Sequence, residues 1–117
     1  MSRQTGNHGE ALAKAFLEEA GYWILALNAH QRLGEIDLIA VDPETDELVF
    51  AEVKARNKSL GFPEEAVDRR KLKKLEQAAL IWLDRHQEDR AWRIDVLAVQ
   101  LGNPPKIEHF KSVTQES

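Results

Sequence analysis

Polar and apolar positions alternate along this chain in blocks of two different periods. Leu12, Ala13, Phe16, Leu17 and Ala20 recur at the spacing of an amphipathic helix, which predicts one over residues 8–20. Asn7 stands where an N-cap is needed, Glu10 completes a capping box, and Gly21 supplies the stop. Tyr22 to Leu27 is a continuous aromatic and aliphatic run, read as a strand. Gly34 opens a second run, Ile36 to Val41, and turn residues Asp42-Pro43-Glu44-Thr45-Asp46 lead into a third, Leu48 to Ala55. The second and third strands are therefore expected to form a hairpin. Asn57 to Pro63 reads as a loop, and Glu64 to His86 predicts a long helix with Leu72, Leu75, Ala79, Trp82 and Leu83 on its apolar face. Ile94 to Leu101 predicts another strand, broken by Pro104-Pro105, and Ile107 to Phe110 an optional edge strand. The order is αβββαβ. Strands two to four are apolar on both faces, as in α/β proteins whose sheet is covered by helices on both sides.

Length and composition narrow the picture. The 117 residues suit one domain, 1–117, with residues 112–117 as a loose polar tail. No run of about eighteen uncharged apolar residues exists to span a membrane. His8, Glu10, Lys14, Glu18 and Glu19 interrupt any apolar leader, so a cytoplasmic location is expected. There is no cysteine, which removes disulfides, thiol catalysis and Cys-based zinc sites together. Chemistry must come from carboxylates, lysines, arginines or histidines.

The net charge of −4 weighs against a polyanionic partner, but its distribution changes that view. From Glu52 to Lys74 eight basic residues face four acids, while the remainder carries eight bases against sixteen acids. One basic segment inside an acidic chain is compatible with a phosphate-facing surface or with a solvated helix face.

Strand alternation then concentrates charge in one place. On strand three Leu48, Phe50, Glu52 and Lys54 share a face; on strand two Glu35, Asp37 and Ile39 do. The hairpin brings Asp37 opposite Glu52 and Lys54. Ionised groups on apolar strands are costly unless they pair or coordinate a cation. Two readings follow from the spacing. One is a cross-strand ion-pair cluster worth about 0.2–1 kcal/mol. The other is a pair of carboxylates for Mg²⁺, with a lysine to stabilise charge on a phosphoryl group.

The segments Gly34-Glu35-Ile36-Asp37-Leu38-Ile39-Ala40 and Val49-Phe50-Ala51-Glu52-Val53-Lys54-Ala55-Arg56 resemble the YraN-like family of small bacterial proteins. The likeness extends over Gly9-Glu10, Ala13, Asn28, the Lys71 helix and Arg93-Ile94-Asp95. The same segments are similar to the PD-(D/E)xK signature of restriction-endonuclease-like nucleases, above all the archaeal Holliday-junction resolvases, with Ile36 in place of the motif's proline. The resemblance implies a restriction-endonuclease-like αβββαβ core with a mixed central sheet. It implies Asp37 and Glu52 as ligands of Mg²⁺ (or Mn²⁺), the Val53 carbonyl completing the site, Lys54 as catalytic lysine and Glu10 as an extra acid. It implies a metal-dependent endonuclease acting on structured or branched DNA, as a symmetric dimer by analogy. The competing expectation is a non-catalytic nucleic-acid- or protein-binding module that kept the fold; RNA is also open as a substrate.

Other residues carry paired readings. Lys71 is a phosphate contact or a lysine snorkelling from the helix edge. Arg69, Arg70, Lys73 and Lys74 form a solvated or phosphate-steering surface, and Arg56 and Lys58 are expected to contact a nucleic-acid backbone. Glu35 is an alternative metal ligand or an exposed strand-end acid. The four histidines show no paired metal spacing and are read as incidental, and Trp23, Trp82 and Trp92 as packing residues.

Overall fold

The structure, a computed structural model, describes residues 3–32, 34–57 and 69–113. Lys58, most of the expected 57–63 loop, the start of the second helix before Arg69, and the tail from residue 114 lie outside the described residues. Among the described residues the elements are α1 Arg3–Glu19, β1 Trp23–Gln31, β2 Gly34–Val41, β3 Leu48–Asn57, α2 Arg69–Arg85, β4 Trp92–Leu101 and β5 Lys106–Phe110. The expected element order holds, and the optional edge strand is present. The protein has a mixed α/β architecture.

The strands form one sheet in the order β1-β2-β3-β4-β5. Only β3 and β4 are parallel, from Leu48↔Trp92 to Asn57↔Leu101, and the other neighbours are antiparallel. Parallel neighbours need a crossover, and α2 provides it. The two helices cover opposite faces. On one, Leu72, Leu75, Ala79 and Trp82 of α2 pack on Ile39, Leu48, Phe50 and Val96. On the other, Ala13 and Leu17 of α1 pack on Leu38, Val49, Val53 and Leu97. Phe50 meets Trp82 and Trp92 edge-on, with centroids 5.6 and 5.8 Å apart.

α1 stops where expected. Gly21 takes φ 94°, its amide donates to the Glu18 carbonyl, and the Tyr22 amide donates to that of Leu17, both at 2.9 Å. This is a Schellman ending. Its start differs from expectation: α1 begins at Arg3, so Asn7 lies inside the helix and Glu10 is not at the third position of a capping box. A second correction concerns Trp23, which is 73 % exposed, on a strand at the edge of the sheet. Among the described residues no helix is long and apolar enough to cross a membrane.

Gly9 sets how closely α1 approaches the sheet. A Cβ at this buried position would overlap the Ala55 Cβ on β3. Helix propensity favours Gly9→Ala by about 0.5–1 kcal/mol, whereas overpacking costs about 1–3 kcal/mol. Steric overlap should win. Urea unfolding of Gly9→Ala is expected to show a net loss of about 1–2 kcal/mol; a gain would mean that α1 has slack over β3.

Candidate functional site

The site arises where two paired strands part. β2 and β3 are in register from Val41↔Leu48 to Leu38↔Ala51, and there the pairing ends. Beyond it, among the described residues, β2 pairs with β1 alone, to Gln31↔Gly34, and β3 with β4 alone. Asp37 and Glu52 are the first residues past the last pair, so both carboxylates stand in the mouth of a fork. The Val53 amide, which has lost its β2 partner, donates instead to Asp37 Oδ2 at 2.8 Å. A side chain has replaced a rung of the ladder.

Alternation alone gave an incomplete account of β2. Ile36 packs in the α2-side core with Ile39, while Leu38 packs in the α1-side core. Glu35, Asp37 and Ile39 therefore do not simply share one face. Strict alternation breaks where β2 loses β3 and is free to twist. Opposite this point Asn28 on β1 takes φ 51°, a left-handed conformation that asparagine tolerates better than most residues. Its side chain hydrogen-bonds the Glu10 carboxylate.

β3 alternates as expected. Glu52 and Lys54 continue the face of Phe50, with Lys54 Nζ 3.9 Å from Glu52 Oε1 and both side chains about one-fifth exposed, at 22 % and 19 %. The Lys71 side chain, from the first turn of α2, comes within hydrogen-bond reach of Lys54. A pocket of about 230 Å³ lies between the elements, lined by Glu35, Asp37 and Glu52 on its acidic side and by Lys71 and Lys74 on its basic side.

The charges strain one another. Burial pushes the Asp37 carboxyl above the usual aspartate range, and Glu35 adds to this; the Val53 amide, Lys54 and Lys71 oppose it. Burial likewise raises Glu10, helped by Asp37 and Glu35 and opposed by Asn28. Lys54 is lowered by burial and by neighbouring Lys71, with Glu52 and Asp37 pulling the other way. Carboxylates disfavoured as anions, beside a lysine disfavoured as a cation, are the kind of perturbation that clusters at functional sites.

The sequence-derived residues fall into three groups. Asp37, Glu52, Val53 and Lys54 converge at the fork, and Glu10, on α1, lies near enough to feel the charges of Asp37 and Glu35. Lys71 and Lys74 form the basic wall. Arg56 and Arg70 are exposed and do not line this pocket. Asn28 was legible only as part of the resemblance; its contact with Glu10 depends on a local φ that no periodicity reveals. His109 was read as incidental, but its Nε2 lies 2.7 Å from Asp95 Oδ2.

The donor set is hard oxygen: two carboxylates and a backbone carbonyl. Among the described residues no group of three His, Cys, Asp or Glu side chains stands together as a metal cage. Such a set fits an ion that keeps several of its own waters, as Mg²⁺ does, and not a zinc-type cage.

Fold and site define a small mixed α/β protein with an acid–lysine cleft at a strand fork. It belongs to the family described as "Uncharacterised protein family UPF0102", the YraN-like family, whose profile matches residues 9–99. A UPF0102 protein of Pelobacter propionicus is 43 % identical over 113 residues, covering 93 % of this chain and 81 % of the relative. One from Nocardia farcinica is 44 % identical over 115 residues, covering 92 % and 87 %. One from Rhodococcus opacus is 43 % identical over 113 residues, covering 91 % and 92 %.

Proposed function

We propose that this protein is a metal-dependent endonuclease of restriction-endonuclease-like architecture, hydrolysing phosphodiester bonds of structured or branched DNA. The observation that carries the reading is the convergence of Asp37, Glu52 and Lys54 on the Val53 peptide at the fork. Asp37, Glu52 and the Val53 carbonyl would hold Mg²⁺ or Mn²⁺. When bound there, the ion supplies Lewis acidity toward a phosphoryl oxygen and lowers the pKa of a bound water.

The chain's own residues do the rest. Lys54, held near Glu52, presents its ammonium to the charge that develops on the phosphoryl group. Glu10, reaching the fork beside Asp37, is placed to hold or move a proton on the attacking water. Lys71 and Lys74 face the acids across the pocket and take phosphate oxygens of the strand being cut. Arg56 and Arg70, both exposed, serve as backbone contacts that carry no base readout, the role also proposed for Lys58 from its sequence alone. With a net charge of −4 the chain depends on this one basic region for binding. Affinity should therefore fall steeply with salt.

Cleavage of linear, flapped and four-way DNA, and of matching RNA, by wild type with Mg²⁺ or Mn²⁺ tests the reading. Metal-dependent cuts lost in Glu52→Gln are the expected result. Tight, salt-sensitive binding with no cleavage of any substrate would leave a binding module and end the enzyme reading. Calorimetry gives a second readout: Mn²⁺ bound equally by wild type and by Glu52→Gln would remove Glu52 as a ligand.

A further inference from the structure

The β1–β2 turn lies against α2 at Lys74, where a Cβ on Gly34 would stand 3.8 Å from the Lys74 carbonyl. A depression opens on each side of this contact. Toward the start of the helix is the fork pocket, with Lys71 and Lys74. Toward its end is a wider depression of about 410 Å³, lined by Arg32 from the turn and by Leu80, Ile81, Asp84 and Arg85 from α2. Helix geometry relates the two. At about 100° per residue, Lys71, Lys74, Ile81 and Arg85 fall on one stripe of α2, with Lys74 and Arg85 about 16 Å apart along the axis.

The second depression has a chemistry of its own. Arg32, Asp84 and Arg85 are exposed, and Leu80 is 51 % exposed beside half-buried Ile81. Among the described residues no ion pair engages Arg32 or Arg85. A guanidinium presents paired donors in a plane that matches phosphate oxygens. The leucine and isoleucine between the two arginines exclude water that would otherwise screen such a contact.

We propose that this depression holds the sugar–phosphate backbone of a second arm of branched DNA, with the β1–β2 turn standing between that arm and the one cut at the fork. The proposal rests on the nucleic-acid part of the reading above and adds a surface that distinguishes a branch from a linear duplex. Spacing favours two backbones. Phosphates follow one another about every 3.4 Å along a strand of B-DNA, so one backbone reaching from Lys74 to Arg85 would carry about five of them past the turn. The turn is seated on the helix there, and a straight backbone held on one side is lifted off the other. Two arms that diverge at a branch enter both depressions without crossing it. Charge agrees. Three carboxylates oppose two lysines in the fork pocket, whereas two arginines outnumber one carboxylate in the second depression. The second depression therefore attracts a phosphate backbone without help from a bound cation.

Fluorescence anisotropy without divalent metal, on a four-way DNA and on a linear duplex of the same arm sequence, compares wild type with Arg32→Ala/Arg85→Ala. Both side chains are exposed, circular dichroism checks the fold, and Arg85→Gln serves if the double variant is unstable. Wild type is expected to bind the four-way DNA more tightly than the duplex. In the double variant the four-way dissociation constant rises about tenfold and its salt slope falls by about 1.8, or by about 0.9 in Arg85→Gln. Binding of the linear duplex changes less than about twofold. A wild type that binds both DNAs alike overturns the proposal. So does a variant that keeps the four-way preference, or one that weakens on both DNAs equally, which would lay one continuous backbone over the turn. Cleavage with Mg²⁺ is read separately. If neither protein cuts any DNA while the branch preference still depends on the two arginines, the nuclease reading falls and this surface stands.

Discussion

Replacing Arg93 with alanine is expected to lower the free energy of unfolding by about 3–5 kcal/mol, the cost of leaving buried carboxylates without their cation. The Arg93 side chain is 8 % exposed, and its donors are all directed at acceptors. Nη1 donates to Asp42 Oδ2 at 2.7 Å and Glu47 Oε1 at 2.9 Å. Nε and Nη2 donate to the two Asp95 oxygens at 3.0 and 3.1 Å, and Nη2 also to the Tyr22 hydroxyl at 3.0 Å. Asp95 is wholly buried and takes further hydrogen bonds from the Ser112 amide and the His109 ring. Urea unfolding at neutral pH reads the loss. A penalty below about 1 kcal/mol would place the network in the class of weak surface pairs.

The same network fixes an acid limb of stability. Burial alone would raise Asp42, but the Glu44 amide and the Arg93 guanidinium more than reverse this and hold it at about 2, against an ordinary 3.8. Asp95 is also lowered: burial opposes, and His109, Arg93 and Ser112 prevail. An acid depressed in the folded state contributes stability above its unfolded pKa and loses it as pH falls through the folded pKa. Wild type should therefore weaken from about pH 4 toward pH 2. In Arg93→Ala that limb flattens, so the penalty is greatest near neutrality.

The network reaches from the β2–β3 turn, at Asp42 and Glu47, to Asp95 beside the last paired residue before the fork. Arg93 and Asp95 lie beside Val49 and Ala51 in the parallel register, whereas the fork opens at Glu52 and Val53. Asp42 and Glu47 bracket the β2–β3 turn, so the network clamps the paired length of the hairpin. With that length held, β2 and β3 diverge only at the fork. Rigidity before the fork thus positions the carboxylates beyond it.

What the sequence made legible follows from range. The stripe Leu72–Leu83, the Gly21 stop and the β2–β3 turn are set by neighbours a few residues away, and they appear where local pattern placed them. Asp37 and Glu52 were also legible, because a hairpin is the shortest long-range contact. Arg93 was not: its partners come from β1, the β2–β3 turn and β4, and no period links Tyr22, Asp42, Glu47 and Asp95. Asn7 misled because a cap residue and a helix-interior asparagine look alike when tertiary packing extends the helix. Trp23 misled because an apolar run does not say whether its strand is central or an edge. The fork itself, an absence of pairing, leaves no mark in a pattern of apolar positions.

Asp37→Asn should separate function from stability at the fork. Asparagine keeps the size of the side chain and an oxygen to accept from the Val53 amide, and it removes the charge. On the proposed function a metal ligand is lost, worth several kcal/mol in the transition state, so cleavage is expected to fall by about 10³-fold or more. Stability should move the other way. Burial and Glu35 raise the Asp37 carboxyl in the folded protein, so its ionised form is disfavoured there. A raised folded pKa for an acid costs stability above that pKa and relieves the cost as pH falls. Neutral asparagine removes this cost, and the melting temperature at pH 7 should hold or rise. A structural ion pair predicts the opposite, because loss of the anion would leave Lys54 and Lys71 with less countercharge and lower the melting temperature. A destabilised Asp37→Asn that still cuts DNA would therefore assign the cluster to structure. A stable variant without cleavage or Mn²⁺ binding would assign it to catalysis, with the fold carrying a strained carboxylate that only a bound cation relieves.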